Sequence, residues 1–90
     1  MSDYIEGQLV RLDAEFRDID GVLADPSTVT LKYRVGAAAV QTVTPTKDGV
    51  GLYHHDLLLA APGVYLWRWS STGGVPAAAQ GQFSVEGATL

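Results

Sequence analysis

The stretch Pro62-Gly63-Val64-Tyr65-Leu66-Trp67-Arg68-Trp69 decides the fold. Its Pro-Gly pair predicts a tight turn, because these two residues are the strongest breakers of regular structure. Behind the turn, Tyr65, Trp67 and Trp69 recur at every second position, which is the period of a β-strand. Residues 64–71 are therefore predicted to form a strand with three aromatic side chains on one face. That face is expected to be buried, since large aromatic groups dominate the core of a small domain.

The same alternation of apolar and polar residues recurs on both sides of this stretch. It is clearest in residues 8–17, where the charged residues from Arg11 to Arg17 hold odd positions and apolar residues hold even ones. Turn sequences separate the alternating runs at intervals of about eight to twelve residues, a spacing typical of β-sandwiches and barrels. Six strands are predicted: 8–17, 28–35, 40–44, 51–59, 64–71 and 77–85. Residues 45–49 are expected to form a turn between two of them.

The composition bounds what this chain can be. Its 90 residues make one domain, residues 1–90, and a chain this short is expected to lack a deep catalytic cleft beside its core. The net charge of −4, with six basic residues scattered along the sequence, argues against a nucleic-acid partner. The absence of cysteine excludes disulfides, thiolate zinc sites and cysteine nucleophiles. The composition thus favours a binding or structural role over catalysis.

Neither a secretory signal nor a membrane span is predicted. Residues 1–7 lack the positive region and the apolar run of a signal peptide. No stretch approaches the roughly 20 apolar residues that a spanning helix needs. The chain is therefore expected to fold in the cytoplasm of the cell that makes it, without a membrane partner.

The motif at 62–65 resembles the corner between strands E and F of immunoglobulin-like domains. There a Tyr near the strand start hydrogen-bonds back to the corner backbone, and Tyr65 occupies that position. Trp67 then stands where antibody domains carry a cysteine, and Tyr33 is expected to replace the usual Trp of strand C. The resemblance implies an all-β fold, an immunoglobulin-like β-sandwich of six to seven antiparallel strands. Strand A would be absent or reduced to Tyr4-Ile5-Glu6.

Over nearly its full length, the chain is similar to short immunoglobulin-like proteins encoded in the structural-gene regions of tailed bacteriophages. The likeness is carried by the charged first strand, the loop Asp18-Ile19-Asp20-Gly21, and the motifs Gly51-Leu52-Tyr53, Trp67-Arg68-Trp69 and Gly81-Gln82-Phe83. It implies a non-enzymatic virion structural protein that folds in the host cytoplasm. Such a repeated subunit would bind capsid, portal, neck or tail proteins, or further copies of itself, through its loops and open sheet edges.

Two clusters could hold a metal ion, and neither is predicted to do so. In His54-His55-Asp56, adjacent strand residues point to opposite faces, so two ligands at most share a side, which is too few for zinc. Asp18, Asp20 and Asp25 crowd one loop but lack the spacing of a calcium-binding loop, and turn formation by the Asp side chains is the preferred interpretation. No Ser-His-Asp arrangement is recognisable. No catalytic residue, metal or cofactor is therefore predicted.

Leu52, Leu58 and Leu66 are the candidate protein-contact positions. Each falls on the face of its strand opposite the predicted core, where a polar side chain is usual. Leu52 and Leu58 share strand E and Leu66 lies on strand F, and these strands belong to different sheets of an immunoglobulin-like fold, so separate apolar spots are expected. The alternative is that strand E faces the other way, with Leu52 and Leu58 in the core. The alternative function is a carbohydrate- or cell-surface-binding module, which would need exposed aromatic side chains in a groove or loop.

Overall fold

The computed structural model describes residues 3–73 and 76–89, and these residues form an all-β fold. Two sheets, consistent with a β-sandwich, contain eight strands: β1 (Tyr4–Ile5), β2 (Leu9–Glu15), β3 (Thr28–Val35), β4 (Gln41–Val43), β5 (Thr46–Gly49), β6 (Leu52–Leu58), β7 (Gly63–Thr72) and β8 (Ala77–Glu86). The all-β prediction is confirmed. Within the described ranges there is no helix that could cross a membrane.

One sheet has five strands in the order β1-β8-β7-β3-β4, and the other has three in the order β2-β6-β5. All pairs are antiparallel except β1 with β8, which is parallel, so the prediction of antiparallel strands alone is wrong there. β1 and β8 are not joined by a hairpin, because the chain passes from β1 to β2 in the other sheet. The antiparallel direction that a hairpin imposes therefore does not apply to this pair. β1 pairs only with Val85 and Glu86, at the end of β8. No described strand pairs with the outer edge of β8 over residues 77–84.

The six predicted strands are all present, with ends within two residues of the predicted ones. The turn predicted at 45–49 is wrong, because residues 46–49 form β5 and the chain reverses at Val50 and Gly51 instead. β5 lies at a sheet edge with a bulge between Lys47 and Gly49, and it is polar. Such a strand shows no apolar alternation, so its signal is weak. β1 and β5 bring the number of strands to eight, against the predicted six to seven.

The aromatic face of β7 points into the core, as predicted. Tyr65 and Trp69 are almost fully buried, and the partly buried Trp67 packs against both of the clusters that make up the core. Gly81 lies directly opposite Trp67 on β8, and a Cβ there would stand 2.6 Å from Trp67 Cζ2. The indole ring therefore needs a glycine beneath it. The buried apolar residues are Val10, Phe16, Leu31, Leu57, Leu59, Tyr65, Trp69, Phe83 and Val85.

Tyr65 fixes the start of β7 to the connection that precedes it. Its hydroxyl donates a hydrogen bond to the carbonyl oxygen of Ala61 at 2.8 Å, which confirms the predicted bond from Tyr65 back to the corner backbone. Its ring stacks on Phe83 of β8, with 5.2 Å between the ring centroids. The corner, β7 and β8 are thereby held in one register.

Replacing Tyr65 by Phe removes this hydrogen bond and keeps the ring. We expect the Tyr65→Phe substitution to lower the free energy of unfolding by about 0.5–1.5 kcal/mol, the usual net contribution of one intramolecular hydrogen bond. Urea unfolding followed by fluorescence measures the difference. Tyr33→Phe is the matched control, because the Tyr33 hydroxyl has no hydrogen-bond partner among the described residues. Equal stability of the two variants would contradict the role of the corner.

Candidate functional site

The structure places the three predicted contact leucines at three separate points. Leu52 begins β6 and is partly buried, whereas Leu58 ends it and is 57% exposed. They lie six residues apart along the strand, a distance of about 20 Å. Leu66 lies on β7 in the other sheet and is partly buried. The role of these residues in protein contacts stays a prediction.

The exposed end of β6 offers only a small apolar spot. Leu58 lies directly opposite Leu9 of β2, which is 62% exposed, and both point away from the core. Beside them, Arg11 and Asp56 form a two-pronged ion pair with contacts of 2.7 and 3.1 Å. Two exposed leucines are ordinary for a monomer's surface and call for no partner.

Leu66 has different surroundings, because it lines an open depression on the outer face of the five-stranded sheet. The depression has a volume of about 510 Å³. Val40, from the connection between β3 and β4, contributes a second apolar side chain and is 53% exposed. The remaining outward-pointing side chains around it are basic or amide-bearing. We call this surface the basic face and define it by Lys32, Arg34, Val40, Leu66, Arg68, Gln80 and Gln82.

Strand register arranges most of the basic face in two rows. One row runs Lys32, Arg68, Gln80 across β3, β7 and β8, and the next runs Arg34, Leu66, Gln82. Lys32 and Arg68 are thus direct cross-strand neighbours, and like charges in this position destabilise a sheet. Among the described residues, the side chains of the three cations make one hydrogen bond, from Arg68 Nη1 to Gln80 Oε1 at 3.1 Å.

The three cations of the basic face have no acidic partner among the described residues. The other three basic residues of the chain are all paired: Arg11 with Asp56, Arg17 with Glu15, and Lys47 with Asp25. Seven of the ten acidic residues lie on the three-stranded sheet or on the loop between β2 and β3, and the rest lie near β1 and at the end of β8. A chain of net charge −4 therefore carries one face on which positive charge is not neutralised.

Sequence reasoning missed the basic face, although it singled out Leu66. The six basic residues look scattered along the chain, and only the pairing of β3 with β7 brings Lys32 and Arg34 beside Arg68. A signal was present, because all three cations stand at outward positions of predicted strands. Without the register, however, nothing showed that they share one surface.

The loop between β2 and β3 contains a hydrogen-bonded turn at residues 17–23, which we call the Ile19 loop. An isolated bridge between Arg17 and Leu23 closes its base. The Asp18 side chain accepts hydrogen bonds from the amides of Asp20 and Val22, at 2.9 and 3.0 Å, which confirms the predicted turn formation at Asp18. The backbone adds a bond from the amide of Asp18 to the carbonyl of Val22.

Asp25 ties the end of this same β2–β3 loop to the neighbouring turn. Its carboxylate binds Lys47 Nζ at 2.9 Å and the amide of Gly51 at 2.8 Å. The hydrogen bond from Lys47, followed by that from Gly51, lowers the pKa of Asp25. Gly51 has a φ of +70°, and a Cβ there would lie 2.5 Å from the carbonyl oxygen of Phe16, so only glycine fits. Asp25 is thus committed to a structural junction.

The His54-His55-Asp56 run splits between two faces, as its alternation predicts. His54 points outward, with Nδ1 2.6 Å from the carboxylate of Asp48, and Asp56 pairs with Arg11. His55 is half-buried on the other side. Within residues 3–73 and 76–89, no three His, Asp or Glu side chains are placed to hold a metal ion together.

The aromatic side chains of β7 do not form an exposed platform. Tyr65 and Trp69 are each 3% exposed, and Trp67 packs into the core from the same side of the strand. The outward side of β7 carries Leu66 and Arg68 instead. The stacking surface that a carbohydrate-binding interpretation requires is therefore not supplied by this strand.

Comparison with known proteins found no matching protein family, no matching curated protein and no matching solved structure. What this chain does must therefore be inferred from its own geometry, in which the basic face is the most distinctive surface.

The junction at Asp25 predicts a pH dependence of stability. Its lowered pKa means that Asp25 stabilises the fold above the pKa of about 3.9 that it has in the unfolded chain. That contribution is lost as the pH falls through the lower value of the folded state. We expect Asp25→Asn to be less stable than the wild type at neutral pH, and the difference to vanish towards about pH 2.

Urea unfolding at the two pH values tests this expectation. Asp13→Asn is the control and should match the wild type at neutral pH, because the Asp13 side chain has no hydrogen bond or ion pair among the described residues. A difference between wild type and Asp25→Asn that stays the same at both pH values would show that the carboxylate charge plays no part.

Proposed function

We propose that this protein is a non-enzymatic structural subunit of a tailed-phage virion, an immunoglobulin-like sandwich that binds other virion proteins. The observation that carries the proposal is the basic face, where three cations without acidic partners surround a partly buried leucine. The subunit would be present in repeated copies at the head, neck or tail. It would fold in the host cytoplasm before assembly.

The strand order supports an immunoglobulin-like arrangement. Taking β2 to β8 as strands B, C, C′, D, E, F and G gives one sheet B-E-D and another G-F-C-C′, as in that family's sandwiches. β1 then takes the place of a short first strand beside G. The hydrogen bond from Tyr65 to Ala61 corresponds to the tyrosine corner at the start of strand F.

The composition of the basic face suits a protein partner. Interfaces combine apolar contact area with arginine and hydrogen-bonding groups, and here Leu66 and Val40 lie among Arg34, Arg68 and Gln82. Lys32 and Arg68 lie directly opposite each other, and the repulsion between their charges destabilises the sheet of the isolated protein. A partner with acidic groups would relieve that repulsion. Complementary charge also speeds encounter and excludes wrong partners.

The shape of the depression favours a protein surface over a small substrate. It is open and lies across the outer face of three adjacent strands, whereas small-molecule sites enclose most of their ligand. The cations are held on two adjacent strands, β3 and β7, rather than on loops, which gives them a fixed spacing. The uncovered outer edge of β8 offers a second place where a neighbouring chain could add a strand.

Co-expression with the products of adjacent structural genes tests the proposal. We expect at least one capsid, portal, neck or tail protein to co-purify with the wild-type chain. Arg68→Glu should weaken that binding by about tenfold or more, because it sets like charge against an acidic partner. Surface plasmon resonance at several salt concentrations measures the affinity.

Arg11→Glu is the matched control for Arg68→Glu. It makes the same change in net charge on an exposed strand position of the other sheet, where it replaces the ion pair with Asp56 by two like charges. Circular dichroism and urea unfolding check that both variants are folded before their binding is compared. Binding that is weakened equally by both variants would contradict a specific role for the basic face. Failure of every co-expressed virion protein to bind would overturn the proposed function.

A further inference from the structure

We propose that the basic face binds the Ile19 loop of a second copy of this chain, so that copies associate head to tail. The inference deepens the proposed role as a repeated virion subunit and rests on it. It names one partner of the basic face, a loop of the same protein.

The Ile19 loop has an apolar tip between two carboxylates. Ile19 is 101% exposed, so its side chain makes no contact with its own chain. Asp18 and Asp20 flank it, and Val22, 61% exposed, adds a second apolar group. A large aliphatic residue at full exposure between acidic neighbours is suited to insertion into an apolar depression with a basic rim.

Hydrogen bonds within the loop define its turn. The bonds to Asp18 already described fix the turn, and Arg17 Nη1 binds the carbonyl of Gly21 at 2.9 Å. Arg17 also pairs with Glu15, so it is committed to the base of the loop. A preorganised loop loses little conformational freedom on binding, which favours association.

The basic face presents the complementary chemistry. Leu66 and Val40 provide apolar surface for Ile19, and Lys32, Arg34 and Arg68 provide cations for Asp18 and Asp20. The only acidic residue on the strands that build this face is Glu86, at the far end of β8 beside Ile5. Charge-assisted hydrogen bonds from guanidinium groups to carboxylates are among the stronger polar contacts between proteins.

The two surfaces are different patches of the chain, and the head-to-tail contact that we propose is heterologous. The Ile19 loop lies before the start of β3, whereas Lys32 and Arg34 lie about 13–20 Å further along that strand. A contact between two different patches repeats from copy to copy and builds either a closed ring or an open filament. A symmetric contact between two basic faces would instead oppose six cations and is disfavoured.

Two variants separate the two halves of the contact. The loop variant carries Ile19→Ser with Asp20→Ser, and the face variant carries Lys32→Glu with Arg34→Glu. All four residues are exposed, and their side chains form no hydrogen bond with another described residue, so both variants should fold. Sedimentation velocity of the full chain at low ionic strength measures the mass as a function of concentration.

We expect the mass of the wild type to rise with concentration and to fall again when salt is added. Each variant alone should remain a monomer. An equimolar mixture should form a heterodimer, because the intact loop of the face variant meets the intact face of the loop variant. This heterodimer should not grow, since its remaining loop and remaining face are both altered.

Two controls keep the result specific. Val50→Ser removes an exposed apolar residue, 56% exposed, from the turn between β5 and β6, and it should associate as the wild type does. Arg11→Glu lowers the net charge away from the basic face and should also associate. Loss of association in either control would contradict the assignment of the contact.

A wild type that stays monomeric at every concentration would overturn the inference, as would a mixture that forms no heterodimer. Binding of a free acidic peptide to the basic face without any self-association would also overturn it. The proposed function is tested separately, by the binding of a co-expressed virion protein to the loop variant, because this variant keeps its basic face. A monomeric wild type that still binds a co-expressed virion protein would remove the head-to-tail contact and leave that function in place.

Discussion

The alternation of side chains along β7 is the constraint on which the rest of this structure depends. Tyr65, Trp67 and Trp69 point inward, so Leu66 and Arg68 must point outward. One register therefore sets the core and the basic face together. Burying each large side chain is worth about 1.5–3 kcal/mol, whereas a cross-strand pair is worth about 0.2–1 kcal/mol. Aromatic burial thus outweighs the repulsion that it imposes between Lys32 and Arg68.

The neighbours of β7 make this arrangement rigid. The bond from Tyr65 to Ala61 fixes the beginning of the strand, and Gly81 allows the ring of Trp67 to lie across β8. The cations consequently stand on a packed sheet, where their spacing is fixed more precisely than on a loop. The Ile19 loop is held by the side chain of Asp18 and presents a fully exposed apolar residue. Hydrogen bonding within both surfaces favours the proposed contact, because groups that are already ordered lose little conformational freedom on binding.

Sequence reasoning recovered the local structure and missed much of what depends on long-range pairing. Apolar patterning and turn spacing predicted six of the eight strands, and the resemblance of residues 62–65 to an immunoglobulin-like corner predicted the bond made by Tyr65. β5 was missed because a polar edge strand carries no alternation, and the parallel pairing of β1 with β8 has no local signal. Leu66 stood out as an apolar residue in an outward position. The basic residues around Leu66 could not be recognised from the sequence, because they come together only when β3 pairs with β7.

The orientation of β7 can be measured directly through its tryptophans. In Trp67→Phe, Trp69 is the only tryptophan left, and it is 3% exposed in the fold. The account predicts blue-shifted fluorescence that iodide does not quench in the folded variant and does quench once urea has unfolded it. Emission typical of water, with strong iodide quenching while the protein is still folded, would place the aromatic side of β7 outside. That result would contradict both the core and the basic face.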